Sequence, residues 1–196
     1  MNKQSSISGV ILAGGLARRM NRQDKGLVTF NKQAMITYAI QAIVPVVDEL
    51  FINANRNIDH YQQFNYPVIT DKRDDFAGPL AGVYAALNAC HHDVLLVTPC
   101  DSPFMPTAAL QTLIDERERN AADIAVAFDG ERIHPVFMAI NTTLKNSLQD
   151  YLAQGERKID RWFEQHNWIK VDFSANPEFF SNINTLAQLA DLAIKE

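Results

Sequence analysis

The segment with the clearest chemical signature places two glycines beside three cationic side chains. Gly14 and Gly15 directly follow a short apolar run, and Arg18, Arg19 and Lys25 come next. Glycine lets the backbone turn sharply and approach a ligand closely, and exposed N–H groups in such a turn bind anions. The cations add local positive charge, and arginine grips phosphate oxygens with paired hydrogen bonds. The pattern predicts a phosphate-binding loop. A basic surface loop is the weaker interpretation, since the glycines follow the apolar run so directly.

The spacing of these glycines excludes two common nucleotide-binding motifs. No Gly-Lys-Ser or Gly-Lys-Thr follows them, so the segment is not a Walker A loop. The Gly-x-Gly-x-x-Gly pattern of dinucleotide folds is also missing, which argues against an NAD-dependent oxidoreductase. A bound triphosphate would therefore be held in a different way.

A second informative stretch sets one carboxylate in a rigid backbone. Asp101 lies between Pro99 and Pro103, and Pro106 follows shortly after. A rigid, single carboxylate suits Mg²⁺, which commonly takes one or two protein carboxylates and completes its shell with phosphates and water. The alternative, Asp101 as a helix cap, is weakened because the prolines push the helix start beyond it.

The elements that must position these residues are short apolar runs that alternate with amphipathic segments. Strands are predicted near 9–13, 50–52, 68–69 and 94–97, with helices between most of them. In open α/β sheets ligands bind beyond the carboxyl ends of the strands. Four successive strands then bring a glycine turn, Asn53, Asp71 and Asp101 to one edge. Each polar residue alone is more readily explained as a turn or cap residue, but their joint occurrence favours a binding site.

The spacing of the strands also predicts the fold class. Strands that are apolar on both faces and separated by helices predict a mainly parallel sheet covered on two sides. Only the seven residues from Asp129 to Pro135 separate the apolar run 124–128 from the run 136–140. A parallel crossover needs about a dozen residues or more, so this pair is predicted to be antiparallel. His134, within this connection, is predicted to be packed or hydrogen-bonded rather than catalytic.

The composition is that of an ordinary globular domain and favours a small-molecule substrate. The chain of 196 residues is predicted to form a single domain, 1–196. A net charge of −5 gives no overall basic field, so neither nucleic acid nor a membrane is an expected partner. No apolar run approaches the roughly 20 residues that span a bilayer, and the polar start is unlike a signal peptide. We expect a soluble, cytoplasmic protein.

Motifs spread over residues 9–189 are similar to those of a known family. The Leu-Ala-Gly-Gly segment from Leu12, with its Arg-Met pair and Lys25, is typical of the nucleotidyltransferase superfamily. More specific are Asn53-Ala54-Asn55-Arg56, Gly78-Pro79-Leu80-Ala81-Gly82, Pro99-Cys100-Asp101-x-Pro103, Asp129-Gly130-Glu131-Arg132-x-His134-Pro135, Gly155-Glu156-Arg157-Lys158 and Asn182-x-Asn184-Thr185. With these motifs the chain resembles the molybdenum cofactor guanylyltransferases. Gly14 stands where cytidylyl relatives carry an alanine.

The resemblance implies a fold, a set of site residues and a metal. The implied fold is a Rossmann-like three-layer sandwich with a mainly parallel sheet and one antiparallel strand. The implied GTP-binding residues are Leu12, Ala13, Gly14, Gly15, Lys25, Asn53, Asp71 and Asp101. By the resemblance Asp101 would ligate Mg²⁺, and the predicted catalytic residues are Lys25, Asp101, Arg18 and Arg19, of which the three cations would neutralise the triphosphate. Asn182 and Asn184 would lie on the pterin side of the cleft.

The implied reaction is an in-line attack by the terminal phosphate of molybdopterin, or of the molybdenum cofactor, on the α-phosphorus of GTP, with release of pyrophosphate. A phosphate nucleophile needs no general base at neutral pH, so catalysis would come from positioning and charge neutralisation. Family analogy adds cofactor-donating and molybdoenzyme-maturation proteins as partners. Two alternatives stay open: a cytidylyl- or sugar-phosphate nucleotidyltransferase on the same fold, and a non-catalytic GTP-sensing module.

Overall fold

The elements follow the alternation of strands and helices in the sequence. The computed structural model describes residues 6–13, 24–71 and 78–181. The strands are β1 Ile7–Leu12, β2 Thr29–Phe30, β3 Gln33–Ala34, β4 Glu49–Asn53, β5 Val68–Ile69, β6 Val94–Pro99, β7 Ile124–Phe128, β8 Ile133–Asn141 and β9 Trp168–Asp172. The α-helices are α1 Met35–Ile43, α2 Ile58–Gln62, α3 Pro79–Ala89, α4 Thr107–Arg119, α5 Lys145–Ala153 and α6 Ile159–Phe163. Short 3-10 turns occupy Lys25–Leu27, Val44–Val46, Thr142–Leu144 and Pro177–Phe180.

The main sheet is mostly parallel. Its strand order is β5-β4-β1-β6-β8-β7-β9, and β2 and β3 form a small separate hairpin. The strand β1 is parallel to both β4 and β6, β5 is parallel to β4, and β9 is parallel to β7. The strand β8 is antiparallel to both of its neighbours, β6 and β7. The predicted fold class, a mainly parallel sheet with one reversed strand, is confirmed for the part of the chain that the structure describes.

The reversed strand begins earlier than its apolar run indicated, at Ile133 rather than Val136. Pro135 has no N–H to donate and would interrupt a regular ladder. The pairing of β7 with β8 shifts register between Val126 and Ala127. This irregularity accommodates the proline, and β8 therefore extends back through His134.

Apolar side chains alternate between the two faces of the sheet, so each face carries its own layer of helices. On one face, Ile11 belongs to a core cluster that includes Leu110 of α4. On the other face, Val10 belongs to a cluster with Leu80 of α3 and Trp162 of α6. Helices thus cover both sides of the sheet, which gives the three-layer sandwich expected from the sequence.

The extended segment that the sequence predicts at 27–30 contains β2, whereas its partner strand β3 and the helix α2 were not predicted. The five residues of α2 bury only Tyr61, so the segment has no apolar periodicity to detect. The spacing of Leu186, Leu189, Ala190 and Ala193 also predicts a helix near the end of the sequence, and this segment lies outside the described residues. Within the described ranges, no helix has the length and apolar character needed to cross a membrane.

Candidate functional site

The carboxyl ends of four parallel strands lie level with one another along one side of the sheet, called here the carboxyl edge. Leu12 pairs with Asn53 on one side and with Pro99 on the other, and Asn53 pairs in turn with Ile69. The ladder continues one residue further, where the N–H of Ala13 donates to the Asn53 carbonyl at 2.8 Å. The residues that follow these strands therefore emerge side by side, as the sequence predicted.

Lys25 and Asp101 meet at this edge although they are far apart in the sequence. The Lys25 Nζ lies 2.9 Å from the Asp101 Oδ2, and their side chains are 26% and 13% exposed. Asp101 lies in the turn after β6, and α4 begins only at Thr107, with Pro106 at its N-cap position. Asp101 is therefore not a helix cap, and the carboxyl edge carries a partly exposed cation next to a carboxylate.

A set of amide contacts fixes Asp71 beside the end of β4. The Asn53 Nδ2 donates to one carboxylate oxygen of Asp71 at 2.9 Å, and the Asn55 Nδ2 donates to the other at 2.7 Å. The Asn55 Oδ1 in turn accepts from the backbone N–H of Asp71 at 2.8 Å. Asn53 is buried, with 3% of its surface exposed. Asp71 thus has a defined orientation before any ligand arrives.

The first turns of α3 cover this amide cluster. Pro79 occupies the first helical turn, where its missing N–H and fixed φ are well tolerated. A Cβ on Gly82 would lie 2.3 Å from the Asn53 Oδ1 and 2.9 Å from the Leu12 Cδ2. Only glycine lets the helix approach so closely, and the approach brings the partial positive charge of the helix N-terminus toward the carboxyl edge. The motif that ends at Gly82 was identified in the sequence, but the close packing of Gly82 against Asn53 was not predicted.

Asp24, next to Lys25, is a buried carboxylate that sequence reasoning missed. It is 8% exposed and accepts two side-chain hydrogen bonds. The Tyr61 hydroxyl donates to Oδ1 at 2.5 Å, and the Asn57 Nδ2 donates to Oδ2 at 3.0 Å. Burial raises the pKa of Tyr61 well above its usual value, so its phenol remains a donor at neutral pH.

His134 and Asp129 form a second side-chain contact at the carboxyl edge, where β7 ends and β8 begins. The His134 Nε2 lies 2.6 Å from the Asp129 Oδ2, and the backbone N–H groups of Glu131 and Arg132 donate to Oδ1 at 2.9 Å and 2.8 Å. The Arg132 N–H is the largest cause that lowers the pKa of Asp129, and His134 adds to it. The imidazole also stacks on Phe180 with ring centres 4.3 Å apart. His134 is packed and hydrogen-bonded, which confirms that prediction.

The structure therefore brings Leu12, Ala13, Lys25, Asn53, Asp71 and Asp101 to one edge of the sheet. Six further residues of the predicted site lie outside the described residues: Gly14, Gly15, Arg18, Arg19, Asn182 and Asn184. Their predicted roles stay predictions. The carboxyl edge nevertheless contains a cation, an oriented amide and two carboxylates in neighbouring positions, and these groups can bind a phosphorylated ligand and a hard cation.

Of the carboxylates at this edge, Asp101 has the setting that fits Mg²⁺. Both oxygens of Asp71 accept from asparagine amides, and both oxygens of Asp24 accept side-chain hydrogen bonds. The ion pair with Lys25 uses the Asp101 Oδ2 and leaves Oδ1 outside that contact. A partly exposed carboxylate oxygen is a hard ligand of the kind that Mg²⁺ prefers. Across residues 6–13, 24–71 and 78–181, no three or more His, Cys, Asp or Glu side chains gather as a metal-binding group.

Sequence comparison shows which proteins this chain is similar to. The family model of the MobA-like NTP transferase domain matches residues 9–169. The molybdenum cofactor guanylyltransferase of Shewanella loihica is 45% identical over 187 residues, which cover 95% of this chain and 95% of that protein. The protein of the same name from Shewanella sp. strain ANA-3 is 46% identical over 187 residues, again with 95% of each chain covered.

Solved structures share the fold at much lower identity. Molybdopterin-guanine dinucleotide biosynthesis protein A from Archaeoglobus fulgidus superimposes with a TM-score of 0.79 at 22% identity, over 96% of this chain and 100% of that one. The 4-diphosphocytidyl-2C-methyl-D-erythritol synthase of Anaerococcus prevotii gives a TM-score of 0.75 at 13% identity, over 98% and 97%. These similarities concern the fold alone.

The fold and the matched domain together define a nucleotidyltransferase. Within that class the chain belongs to the molybdenum cofactor guanylyltransferase family, as the motifs from Leu12 to Asn184 indicated.

Proposed function

We propose that this enzyme transfers GMP from GTP to the terminal phosphate of molybdopterin, or of the molybdenum cofactor, and releases pyrophosphate. The relatives that are 45–46% identical and are named molybdenum cofactor guanylyltransferase support this choice of nucleotide and acceptor. The structural observation that carries the proposal is the Lys25–Asp101 pair at the carboxyl edge, level with the ends of the strands that lead to Asn53 and Asp71.

Each described residue of the edge has a proposed role toward GTP. Lys25 places a compact positive charge beside the triphosphate. Asn53 and Asp71, which orient each other, offer polar groups to the nucleoside, and the backbone at Leu12 and Ala13 lies between them and Asp101. In the proposal Gly14 and Gly15 add backbone donors, and Arg18 and Arg19 add further positive charge.

Asp101 is the residue proposed to hold Mg²⁺. When bound, the metal would neutralise negative charge on the triphosphate and so favour departure of pyrophosphate. Asp101 is suited to this role because the turn after β6 fixes it and because it is partly exposed. Lys25, 2.9 Å from Asp101, places a second positive charge next to the same phosphates.

The reaction then proceeds without a general base. A terminal phosphate oxygen of the acceptor attacks the α-phosphorus of GTP, and the bond from that phosphorus to the β-phosphate oxygen breaks. At neutral pH the attacking oxygen is already ionised, so positioning and charge neutralisation supply the rate enhancement. Asn182 and Asn184 are proposed to bind the pterin side of the acceptor.

The test compares nucleotides under one condition. Purified protein is incubated with Mg²⁺ and molybdopterin and with GTP, CTP or UTP in separate reactions, while pyrophosphate and the dinucleotide product are measured. GTP should give both products, and CTP and UTP should give little of either. A reaction without molybdopterin reports simple hydrolysis and serves as the control.

Each alternative makes a different prediction in this assay. Faster turnover with CTP would identify a cytidylyltransferase. A parallel set of reactions replaces molybdopterin with a sugar phosphate, and turnover there would identify a sugar-phosphate enzyme. Binding of GTP with no pyrophosphate released in the presence of molybdopterin would indicate a sensing module. Any of these results would overturn the proposal.

A further inference from the structure

The segment that follows β4 contacts two carboxylates at the carboxyl edge through alternate asparagines. Asn53 and Asn55 hold Asp71, and Asn57, two residues further on, holds Asp24. Asn57 adopts a left-handed backbone conformation with φ of 51°, directly before α2 begins. Asparagine tolerates this conformation better than most residues. The left-handed conformation at Asn57 therefore lies at the boundary between the residues that contact Asp71 and the residues that contact Asp24.

Asp24 depends on the donors that this segment supplies. A buried carboxylate without hydrogen bonds is strongly unfavourable. Asp24 is 8% exposed, and the Tyr61 hydroxyl and the Asn57 amide donate to its two oxygens. Tyr61 is fully buried and extends from α2, so its ring and hydroxyl are held in place by the core.

The backbone on both sides of Lys25 is fixed as a consequence. On one side, the Asp24 carbonyl accepts from the Leu27 N–H at 3.0 Å and closes the 3-10 turn. On the other side, Gly26 lies directly against Tyr61, because a Cβ at this position would be 2.5 Å from the Tyr61 hydroxyl oxygen. Lys25 therefore extends toward Asp101 from a backbone that is hydrogen-bonded and packed at both neighbouring residues.

We propose that Tyr61 and Asn57 are positioning residues of the transfer site, which hold Asp24 and through it fix Lys25 opposite Asp101. This inference rests on the proposed function in so far as Lys25 acts on the triphosphate. Neither residue needs to touch the nucleotide. A lysine on a mobile backbone loses freedom when it binds phosphate, and a fixed backbone reduces that loss.

The kinetic test uses substitutions that remove the polar group and keep either the ring or the backbone conformation. Tyr61→Phe keeps the ring without the hydroxyl, and Asn57→Gly removes the amide while it permits the positive φ. Each should lower kcat/KM for GTP by about tenfold, the size expected for a misplaced charged contact. Combined with Lys25→Ala, neither should lower kcat/KM further, whereas any loss in Tm should persist in that background.

Two matched controls separate positioning from general stability. Asn65→Gly changes another left-handed asparagine, which is exposed in the turn after α2. Tyr151→Phe removes another buried hydroxyl, one that donates to the Lys158 carbonyl at 2.8 Å. Both should leave kcat/KM for GTP unchanged. If Tyr61→Phe lowers kcat/KM equally with and without Lys25, the residue acts through stability alone and the inference is wrong.

A measurement without nucleotide separates this inference from the proposed function. The side-chain ammonium signal of Lys25, assigned by its loss in Lys25→Ala, is followed by NMR in the ligand-free protein. Tyr61→Phe and Asn57→Gly should shift or broaden it, and the two controls should not. A responsive signal in a protein that makes no guanine dinucleotide would defeat only the proposed function. An unresponsive signal in a protein that transfers GMP would defeat only this inference.

Discussion

Two short side-chain contacts to a carboxylate lie at the carboxyl edge, and they differ in sequence separation and in the other groups that the carboxylate contacts. Lys25 and Asp101 are 76 positions apart, join at 2.9 Å and are both partly exposed. His134 and Asp129 are five positions apart and join at 2.6 Å, and Asp129 also accepts from two backbone N–H groups. The first pair joins distant segments, and both of its side chains are partly exposed to solvent. The second closes a local turn and has little free bonding capacity.

The difference teaches that a short contact between a carboxylate and a basic side chain does not by itself indicate catalysis. His134 has its imidazole stacked on Phe180 and its Nε2 against Asp129, which is the environment of a structural histidine. Lys25 and Asp101 lie level with the strand ends, where α/β sheets bind ligands. We therefore expect the Lys25–Asp101 pair to govern turnover and the His134–Asp129 pair to govern stability.

The largest expected effect is the loss of turnover in Asp101→Ala. Removal of a group that stabilises charge in the transition state costs about 10²–10³-fold or more in kcat. The fold should be kept, because the side chain is partly exposed and no helix depends on it as a cap. Pyrophosphate release and Tm measure the two outcomes. Asp115→Ala, an exposed carboxylate on α4, is the control, and an active Asp101→Ala enzyme would break the comparison.

A smaller loss is expected for Lys25→Ala. We expect kcat/KM for GTP to fall by about 10–100-fold, because a charge-assisted contact to phosphate contributes about 1.5–3 kcal/mol. GTP affinity and turnover should fall together, which calorimetry and a pyrophosphate assay measure. Lys145→Ala is the matched control. Lys145 is the first residue of α5, which follows the end of β8 that lies away from the carboxyl edge. Unchanged kinetics in Lys25→Ala would contradict the phosphate role.

The sequence predicted the residues of the site better than the contacts between them. Asn53, Asp71 and Asp101 were predicted because apolar runs end just before them, and parallel strands bring such ends together. The pairing of Lys25 with Asp101 over 76 positions was implied only by the shared edge. No periodic pattern specifies where a loop returns to the sheet.

The contacts that fix the backbone on both sides of Lys25 could not have been predicted from the sequence pattern. The helix α2 has five residues and one buried side chain, so Tyr61 gives no periodic signal. Asp24 is polar and lies beside a cation, which suggests an exposed loop, yet the hydroxyl of Tyr61 and the amide of Asn57 allow it to be buried. Such partners come from tertiary packing, which a single sequence does not specify.

The second pair is expected to affect stability rather than turnover. Asp129→Asn should lower the free energy of unfolding by about 1–3 kcal/mol, because His134 loses a charged partner in a mostly buried setting. Turnover with GTP should stay close to that of wild type. Asp172→Asn is the control: Asp172 also accepts from a backbone N–H, that of Ser174, but it is exposed. A stable Asp129→Asn protein with impaired turnover would place this pair in the site and remove the distinction.

The smallest effect is the pH dependence of that stabilisation. The Arg132 N–H, His134 and the Glu131 N–H favour the ionised form, so the pKa of Asp129 lies below its usual range in the folded protein. A lowered folded pKa contributes stability that is present above the unfolded pKa of about 3.9 and is lost as the pH falls through the folded value. Denaturant unfolding of wild type and Asp129→Asn should therefore differ by a constant amount from neutral pH down to about pH 5, and by less below about pH 4. A difference that stays constant down to about pH 3 would show that the charge of Asp129 does not stabilise the turn, because in that range its carboxyl is protonated in the unfolded chain.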